Sequence, residues 1–225
     1  MNERPLAPVD TNVRRYQTIA LLVGLTVAWL AVAPAARARK GPKISYFDRL
    51  KLANWKQVMR VDKSSKFWQP TGMLLIAAKP TEVMSTFMDF SHINTFMPKV
   101  KSCRVVRRRG KYKIWAVVFL DLPWPVANAW VAVRYDWSRT SAGCYKLKWV
   151  RHRGSMKRYW GRLQLWPWGK NWTLAVSTMQ AVPDIHISRS KLNKGIVWGS
   201  EQMLHHLRAE VDRRRRKGRL KPYNP

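Results

Sequence analysis

The stretch "VVFLDLPWPVANAW", from Val117 to Trp130, is the main basis for predicting the fold of this chain. It starts as an apolar run, places Pro123 and Pro125 on either side of Trp124, and then continues with small and aromatic residues. Because proline fixes φ and cannot donate to a β-ladder, such an interruption is typical of a strand, a sharp corner and a second strand. The stretch therefore predicts two consecutive strands of a sheet rather than a catalytic loop.

Segments on both sides of this corner also read as strands. "KYKIWAVVFL" (111–120) and "CYKLKWVR" (144–151) alternate lysines with apolar and aromatic residues, which predicts strands with one inward face. "AWVAVRYDWSR", "KRYWGRLQLW" and "WTLAVSTMQAV" are further strand candidates separated by glycine-containing turns. Together with the earlier apolar run "TGMLLIAA", they predict a curved antiparallel sheet of about seven strands.

Helical patterns flank this sheet. "PTEVMSTFMDF" (80–90) and "HINTFMP" (92–98) predict two short helices after the first strand. Leu192 to about Arg216 predicts one long helix with an apolar stripe, which a curved sheet would bury, so the predicted class is α+β. "SYFDRLKLANWKQVMRV" (45–61) predicts a basic amphipathic helix that either packs on the domain or lies on a membrane surface.

The composition combines a strong positive charge with a substantial hydrophobic content. The chain of 225 residues has 43 Lys plus Arg against 12 Asp plus Glu, a formal charge of +31, yet 46% of its residues are hydrophobic and 13 are tryptophan. This excludes the low-hydrophobicity composition of a disordered chain and predicts a folded domain with a basic surface that attracts anions.

The amino terminus has the parts of a bacterial secretory signal peptide. Arg14 and Arg15 precede an apolar run from Ile19 to Ala36, and Ala36-Arg37-Ala38 is a small-x-small cleavage pattern. The run is also long enough for an uncleaved membrane anchor. In either case we expect the domain to be exported, periplasmic or extracellular, and its anionic partner to be a membrane or envelope polymer rather than nucleic acid. The predicted parts are a signal peptide or anchor (1–38), a basic amino-terminal segment (39–68), the main domain (69–217) and a tail (218–225).

Several motifs resemble the START-like superfamily, also called the SRPBCC or helix-grip group. "AAKPTEVMSTFMDFSHINTFMPKVKSCRVV", the following "LDLPWPV", "LQLWPWGKNWTLAVSTMQAVP" and the last helix occur in that family's order, over roughly 69–214. The similarity is greatest to the polyketide cyclase/dehydrase and coenzyme-Q-binding branches. Three groups of residues match family motifs: Ala78, Pro80, Glu82 and Val83; Ile93, Phe96 and Pro98; and Pro123, Trp124 and Pro125.

The resemblance implies a helix-grip fold with an apolar cavity between the sheet and the long helix, which relatives use for lipids, isoprenoids, sterols or polyketides. Many relatives have an aspartate-arginine pair after the proline corner, where this chain has Asn128 and Ala129, so we carry over no recognition by that pair. Strand parity and the helix stripe then predict these ligand-binding residues: Tyr112, Ile114, Ala116, Val118, Tyr145, Leu147, Trp149, Ala175, Ser177, Met179, Ile196, Met203, Leu204 and Leu207.

Catalytic and metal-binding patterns are scarce. The acids are scattered, and the adjacent His205 and His206 diverge by about 100° on a helix, so we predict no catalytic residue, no metal and no cofactor. The sequence favours a binding protein, with two alternatives left open. One is a cyclase or dehydratase that uses Tyr112 or Tyr145 with an acid in the cavity, and the other is an envelope scaffold whose cavity is filled by tryptophans.

Basic runs and tryptophans in loops predict the surface that meets an anionic membrane or polymer. The predicted contact residues are Arg107, Arg108, Arg109, Trp124, Arg151, Arg153, Trp166, Trp168, Arg213 and Arg214. Cys103 and Cys144 are the only cysteines, and an exported chain permits one disulfide between them, or none. We expect a monomer that binds a lipid or another apolar small molecule.

Overall fold

The structure is a computed structural model, and it describes residues 41–122 and 128–224. The predicted signal peptide or anchor (1–38) and the proline corner with Trp124 lie outside the described residues.

A single antiparallel sheet of eight strands forms most of the domain. Its spatial order is β1-β2-β8-β7-β6-β5-β4-β3, so every pair except β2–β8 joins strands that follow each other in the chain. The strands are β1 (Val58–Asp62), β2 (Gln69–Ile76), β3 (Val100–Arg109), β4 (Lys113–Asp121), β5 (Asn128–Arg139), β6 (Tyr145–Gly154), β7 (Met156–Pro167) and β8 (Thr173–Pro183).

Within residues 41–122 and 128–224, three α-helices accompany the sheet. They are α1 (Tyr46–Ala53), α2 (Pro80–Phe87) and α3 (Arg189–Arg216), and a 3₁₀ turn (Ile93–Thr95) follows α2. The sheet curves around the 28-residue α3, whose apolar stripe packs against the inner face. The predicted α+β class and helix-grip architecture are confirmed, with one strand more than the seven expected.

The alternation of side chains explains which face of the sheet is inside. Along β4, Ile114, Ala116, Val118 and Leu120 are buried, while the residues between them are partly or fully exposed. By contrast, β2 and β8 are buried on both faces, since α1 covers their outer side through Leu52 and its apolar neighbours.

The extra strand comes from the segment that the sequence predicted as one helix over 45–61. This helix ends at Ala53, because Trp55 adopts a left-handed φ of 60° and turns the chain back toward β2. Residues from Val58 onward then pair with β2 as strand β1. The prediction that this helix continues to residue 61 is therefore wrong beyond Ala53.

Antiparallel order gives the domain two ends. One end, called the mouth end, contains the start of β3, the end of β4, the β6–β7 turn, the end of β8 and the start of α3. The opposite end, called the far end, contains the β3–β4 turn, the β7–β8 turn and the end of α3.

The two cysteines are free thiols. Cys103 lies on β3 and Cys144 directly precedes β6, and two strands separate β3 from β6 in the sheet. Three strand spacings amount to about 14 Å, twice the Cα separation of about 7 Å that a disulfide tolerates. The disulfide that export permits is therefore absent.

Candidate functional site

A cavity of about 410 Å³ lies between the inner face of the sheet and the mouth-end half of α3. Its walls are mostly aliphatic and aromatic side chains, and exposed residues at its rim give it a mouth. The lining consists of Phe87, Ile93, Met97, Pro98, Lys99, Val100, Val118, Leu120, Leu122, Tyr135, Trp149, Met156, Tyr159, Met179, Ala181, Pro183, Ile187, Lys191, Leu192, Gly195, Ile196, Trp198, Gly199 and Met203.

Two glycines of α3 keep the mouth open. Gly195 and Gly199 both line the cavity, one turn apart, and a Cβ atom at either position would meet no atom within 4 Å. A glycine inside a helix costs about 1 kcal/mol relative to alanine. Helix packing does not explain this cost, since the missing side chains leave open space.

Trp149 limits the depth of the cavity. Its indole lies over Gly161, its partner on the neighbouring strand, and a Cβ atom at Gly161 would be only 2.1 Å from Cζ2 of Trp149. On its other side the indole packs against Phe87, with ring centroids 5.9 Å apart. Toward the far end, the space between sheet and helix is filled by buried side chains.

Two phenols bring polar atoms into the cavity wall. Burial raises the pKa of Tyr135 well above its ordinary value, and burial raises that of Tyr159 to about 12, so both side chains are neutral hydrogen-bond donors at physiological pH. Tyr135 also packs on Phe90, with ring centroids 5.0 Å apart.

Lysines are the charged residues of the described lining, and both lie at the mouth. Lys99 precedes β3 and Lys191 lies in the first turn of α3, and both side chains are exposed. Lys99 adopts a left-handed φ of 62°, which costs about 1 kcal/mol or more for a residue other than glycine. Its carbonyl accepts a hydrogen bond of 2.9 Å from the backbone N–H of Asp121.

A partly buried ionic network fixes the other half of α3 against the segment after α2. Arg214 donates to Asp89 (2.8 Å) and to Glu210 (2.6 Å), and Arg213 also donates to Glu210. Burial opposes ionisation of Asp89, but hydrogen bonds from Ser91, His92 and Arg214 outweigh it and lower its pKa to about 2. The network holds α3 in place while its mouth-end half covers the cavity.

The structure brings five of the fourteen predicted ligand-binding residues to the cavity: Val118, Trp149, Met179, Ile196 and Met203. Most of the other nine are buried, but outside the lining: Ile114, Ala116, Tyr145, Leu147, Ala175, Ser177, Leu204 and Leu207. Tyr112 lies in the β3–β4 turn at the far end, is 49% exposed, and packs edge-on against Trp137.

The predicted anion-contact residues are spread over the molecule. Arg153 is exposed at the mouth end, whereas Arg107, Arg108 and Arg109 are exposed toward the far end. Arg213 and Arg214 pair with Glu210, and Arg151 is partly buried and donates to the carbonyl of Gly154. Trp166 and Trp168 pack against the apolar cluster beneath α1.

Sequence reasoning missed Tyr135, Tyr159, Lys99 and Lys191. Alternation along β5 places Tyr135 on the inner face, so that residue could have been found. The two lysines could not have been found in this way, because they lie far apart in the sequence. They line the same cavity only because α3 returns across the sheet.

The described lining of the cavity offers few groups for acid–base chemistry. Neither an acid nor a histidine is among the lining residues that the structure describes, and residues 41–122 and 128–224 contain no cluster of metal ligands. Over the same ranges, no helix combines the length and the apolar character needed to cross a membrane.

Comparison with known proteins shows the fold. The sequence matches no family model and no curated protein. Among solved structures, it is similar to the STAR-related lipid transfer protein of Xanthomonas axonopodis, with a TM-score of 0.61 and 17% identity over 70% of this chain and 93% of that chain. The lipid transfer and protein localization domain of human StarD13 superposes with a TM-score of 0.62 and 10% identity over 91% of this chain and 98% of that one.

An aromatase/cyclase has the same architecture. Zhui aromatase/cyclase, from a Streptomyces species, superposes with a TM-score of 0.55 and 13% identity over 72% of this chain and 98% of that chain. The chain thus has the START-like fold, which lipid transfer proteins and a cyclase share. Because one fold holds both binding proteins and enzymes, the cavity and not the fold has to carry the functional argument.

Proposed function

We propose that this protein binds an apolar or amphipathic molecule, such as a lipid or an isoprenoid, in the cavity between the sheet and α3. The observation that carries the proposal is an open cavity of about 410 Å³ with predominantly apolar walls and few polar groups. Small-molecule sites have volumes of roughly 300–1,000 Å³ and this kind of lining. The START-like fold supports the same function.

Burial of a hydrocarbon chain supplies enough free energy for such binding. Each buried methylene contributes about 0.8 kcal/mol, so ten contribute about 8 kcal/mol, which corresponds to roughly micromolar affinity before ordering costs. The two neutral phenols, Tyr135 and Tyr159, would donate hydrogen bonds to an oxygen atom of the ligand.

We further propose that the protein is exported and takes up its ligand while docked on an anionic membrane. Charge complementarity supports this partner, since the chain has a formal charge of +31. Exposed Arg153, Lys157 and Lys194 lie at the mouth end. Exposed aromatic side chains accompany them, with Trp198 48%, Phe119 44% and Trp130 39% exposed. Basic residues near an anionic bilayer contribute about 1 kcal/mol each, and indole rings prefer the interface.

Ligand binding is tested by native purification, solvent extraction and mass spectrometry of the wild type and of two variants with side chains of different size at residue 199. Gly199→Trp would fill the mouth, whereas Gly199→Ala adds one methyl group to open space. We expect a stoichiometric lipid or isoprenoid in the wild type and in Gly199→Ala, and a severalfold lower amount in Gly199→Trp. An empty wild-type extract, repeated after incubation with membrane lipids, would rule out the binding function.

Docking is tested separately by co-sedimentation with vesicles of phosphatidylglycerol and phosphatidylcholine. Arg153→Ser/Lys157→Ser removes two charges at the mouth end, and Arg108→Ser/Arg109→Ser removes the same charge near the far end. We expect only the first pair to weaken binding markedly, with a salt dependence typical of surface charges. Equal losses for both pairs would contradict docking by the mouth end.

The cyclase alternative requires Tyr112 or Tyr145 to meet an acid inside the cavity. Neither tyrosine belongs to the described lining, which also contains no acid. The scaffold alternative requires a filled cavity, but the mouth-end half is open. Ligand binding is therefore the function that the described geometry supports best.

A further inference from the structure

We infer that the ligand carries an acidic head, a carboxylate or a phosphate, held at the mouth between Lys99 and Lys191. This inference rests on the proposed ligand binding and specifies the class of ligand. Its basis is the position of these two lysines in the lining and the distribution of charged side chains around the cavity.

The cavity has a polarity that orients an amphipathic molecule. Its inner wall is formed by side chains such as Val118, Trp149 and Met203, whereas the charged residues of the described lining lie at the rim and are both cationic. A hydrocarbon chain therefore belongs inside and an anionic group at the mouth. A cationic head would face repulsion there, and a neutral head would gain no ion pair.

Among the described residues, neither lysine has an acidic partner. Within residues 41–122 and 128–224, Lys99 and Lys191 form no ion pair, whereas arginines elsewhere do, as Arg214 does with Asp89 and Glu210. The two ammonium groups are free to pair with a bound anion, and the apolar cavity beside them weakens the competition from water.

Lys99 is held at this position by its backbone. The chain turns at Lys99 with φ 62°, a conformation that glycine or asparagine adopts more readily, and the hydrogen bond from Asp121 N–H to its carbonyl fixes the turn. The side chain therefore leaves a rigid site next to Pro98 and Val100, which also line the cavity.

Lys191 lies where a cation is unfavourable for the helix. The first turn of α3 contains no acidic residue, and Arg189 and Lys191 face the positive end of the helix dipole. Arg189 has a partner, since it donates to the carbonyl of Lys66 at 2.9 Å. Lys191 lines the cavity instead, and an anion at the mouth would offset its unfavourable placement.

The test is equilibrium dialysis of the full chain, without membranes, against dodecanoate, dodecyl phosphate and 1-dodecanol, which share a twelve-carbon chain. We expect both acids to bind about tenfold more tightly than the alcohol, since each exposed ion pair contributes a factor of about three to five. This advantage should shrink as salt is raised. Comparison of the two acids identifies whether carboxylate or phosphate fits better.

Charge-removing variants then locate the effect. Lys99→Asn keeps a residue that tolerates the left-handed backbone, and Lys191→Gln keeps a long polar side chain. Each should weaken the acids about threefold to fivefold and leave the alcohol unchanged, while Lys170→Gln, an exposed residue between β7 and β8 at the far end and outside the lining, should change neither. Unchanged alcohol binding shows that the variants are folded.

The outcomes separate this inference from the proposed function. If acids and alcohol bind equally, or if Lys170→Gln weakens the acids as much as Lys191→Gln, the acidic head is wrong although the cavity still binds apolar chains. If none of the three binds, the binding function fails and the inference fails with it.

Discussion

Close contact between Gly161 and Trp149 sets the depth of the cavity at the scale of single residues. The indole of Trp149 occupies the space that a side chain at residue 161 would need, and it is only 3% exposed. The two residues face each other on β6 and β7, so any side chain at residue 161 would have to displace the indole.

Gly161→Ala should therefore destabilise the protein by about 1–3 kcal/mol, since its Cβ forces the indole out of a packed position. Gly199→Ala should have the opposite sign and stabilise by up to about 1 kcal/mol, because it removes a helix glycine without a clash. Urea unfolding of the two variants measures both changes. Similar effects of the two substitutions would contradict the packing of Trp149 on Gly161.

Asp89 makes stability depend on pH. Its folded pKa of about 2 lies below the ordinary aspartate pKa of 3.8, so the unfolded chain takes up its proton first as the pH falls. Its contribution of about 2 kcal/mol is thus fully present above about pH 4 and is lost as the pH falls toward 2. We expect the stability difference between the wild type and Asp89→Asn to shrink over that window, measured by urea unfolding at several pH values. A difference that stays constant from pH 5 to about pH 2 would show that the carboxylate is not stabilised in this way.

At the scale of secondary-structure elements, α1 closes the outer face of β2 and β8. Leu52 is 1% exposed and packs with Val58, Met73 and Leu174, whereas Tyr46 and Phe47 are 71% and 73% exposed. The sequence left two interpretations of this basic helix, packing on the domain or lying on a membrane surface. The structure shows that the helix packs on the domain.

Leu52→Ala should destabilise the protein by about 2–5 kcal/mol, because it leaves a cavity beneath α1. Phe47→Ala, which removes a larger side chain from the same helix, should change stability by less than about 0.5 kcal/mol. Thermal unfolding monitored by circular dichroism compares them. A large effect of Phe47→Ala alone would mean that the exposed side of α1 has a partner.

The fold as a whole keeps its two thiols apart and unreactive. Burial raises the pKa of Cys103 to about 12 and, against an opposing effect of Lys146, raises that of Cys144 to about 11, so little thiolate forms near neutral pH.

We expect the folded protein to react slowly with a thiol reagent at about pH 8 and to release both thiols rapidly in denaturant. A reducing agent should leave the melting temperature unchanged, since no disulfide contributes to stability. A lower melting temperature under reducing conditions would show that a disulfide forms.

Local patterns in the sequence were sufficient to predict the class of fold. Alternation in "KYKIWAVVFL" and "CYKLKWVR" placed Ile114, Val118 and Trp149 on the inner face, and the apolar stripe of α3 identified the helix that the sheet encloses. These patterns are local, with periods of two and 3.6 residues, so they can be read without tertiary information.

Whether an inward residue lines the cavity or fills the core depends on tertiary packing. Leu147 and Trp149 share one face of β6, yet only Trp149 lies at the cavity, because depth is set by a cross-strand contact with Gly161. Lys99 and Lys191, which are 92 positions apart in the sequence, line the same cavity because α3 returns over the sheet. Alternation along a strand predicts on which face each side chain lies. Open space, by contrast, depends on how side chains distant in sequence pack against each other.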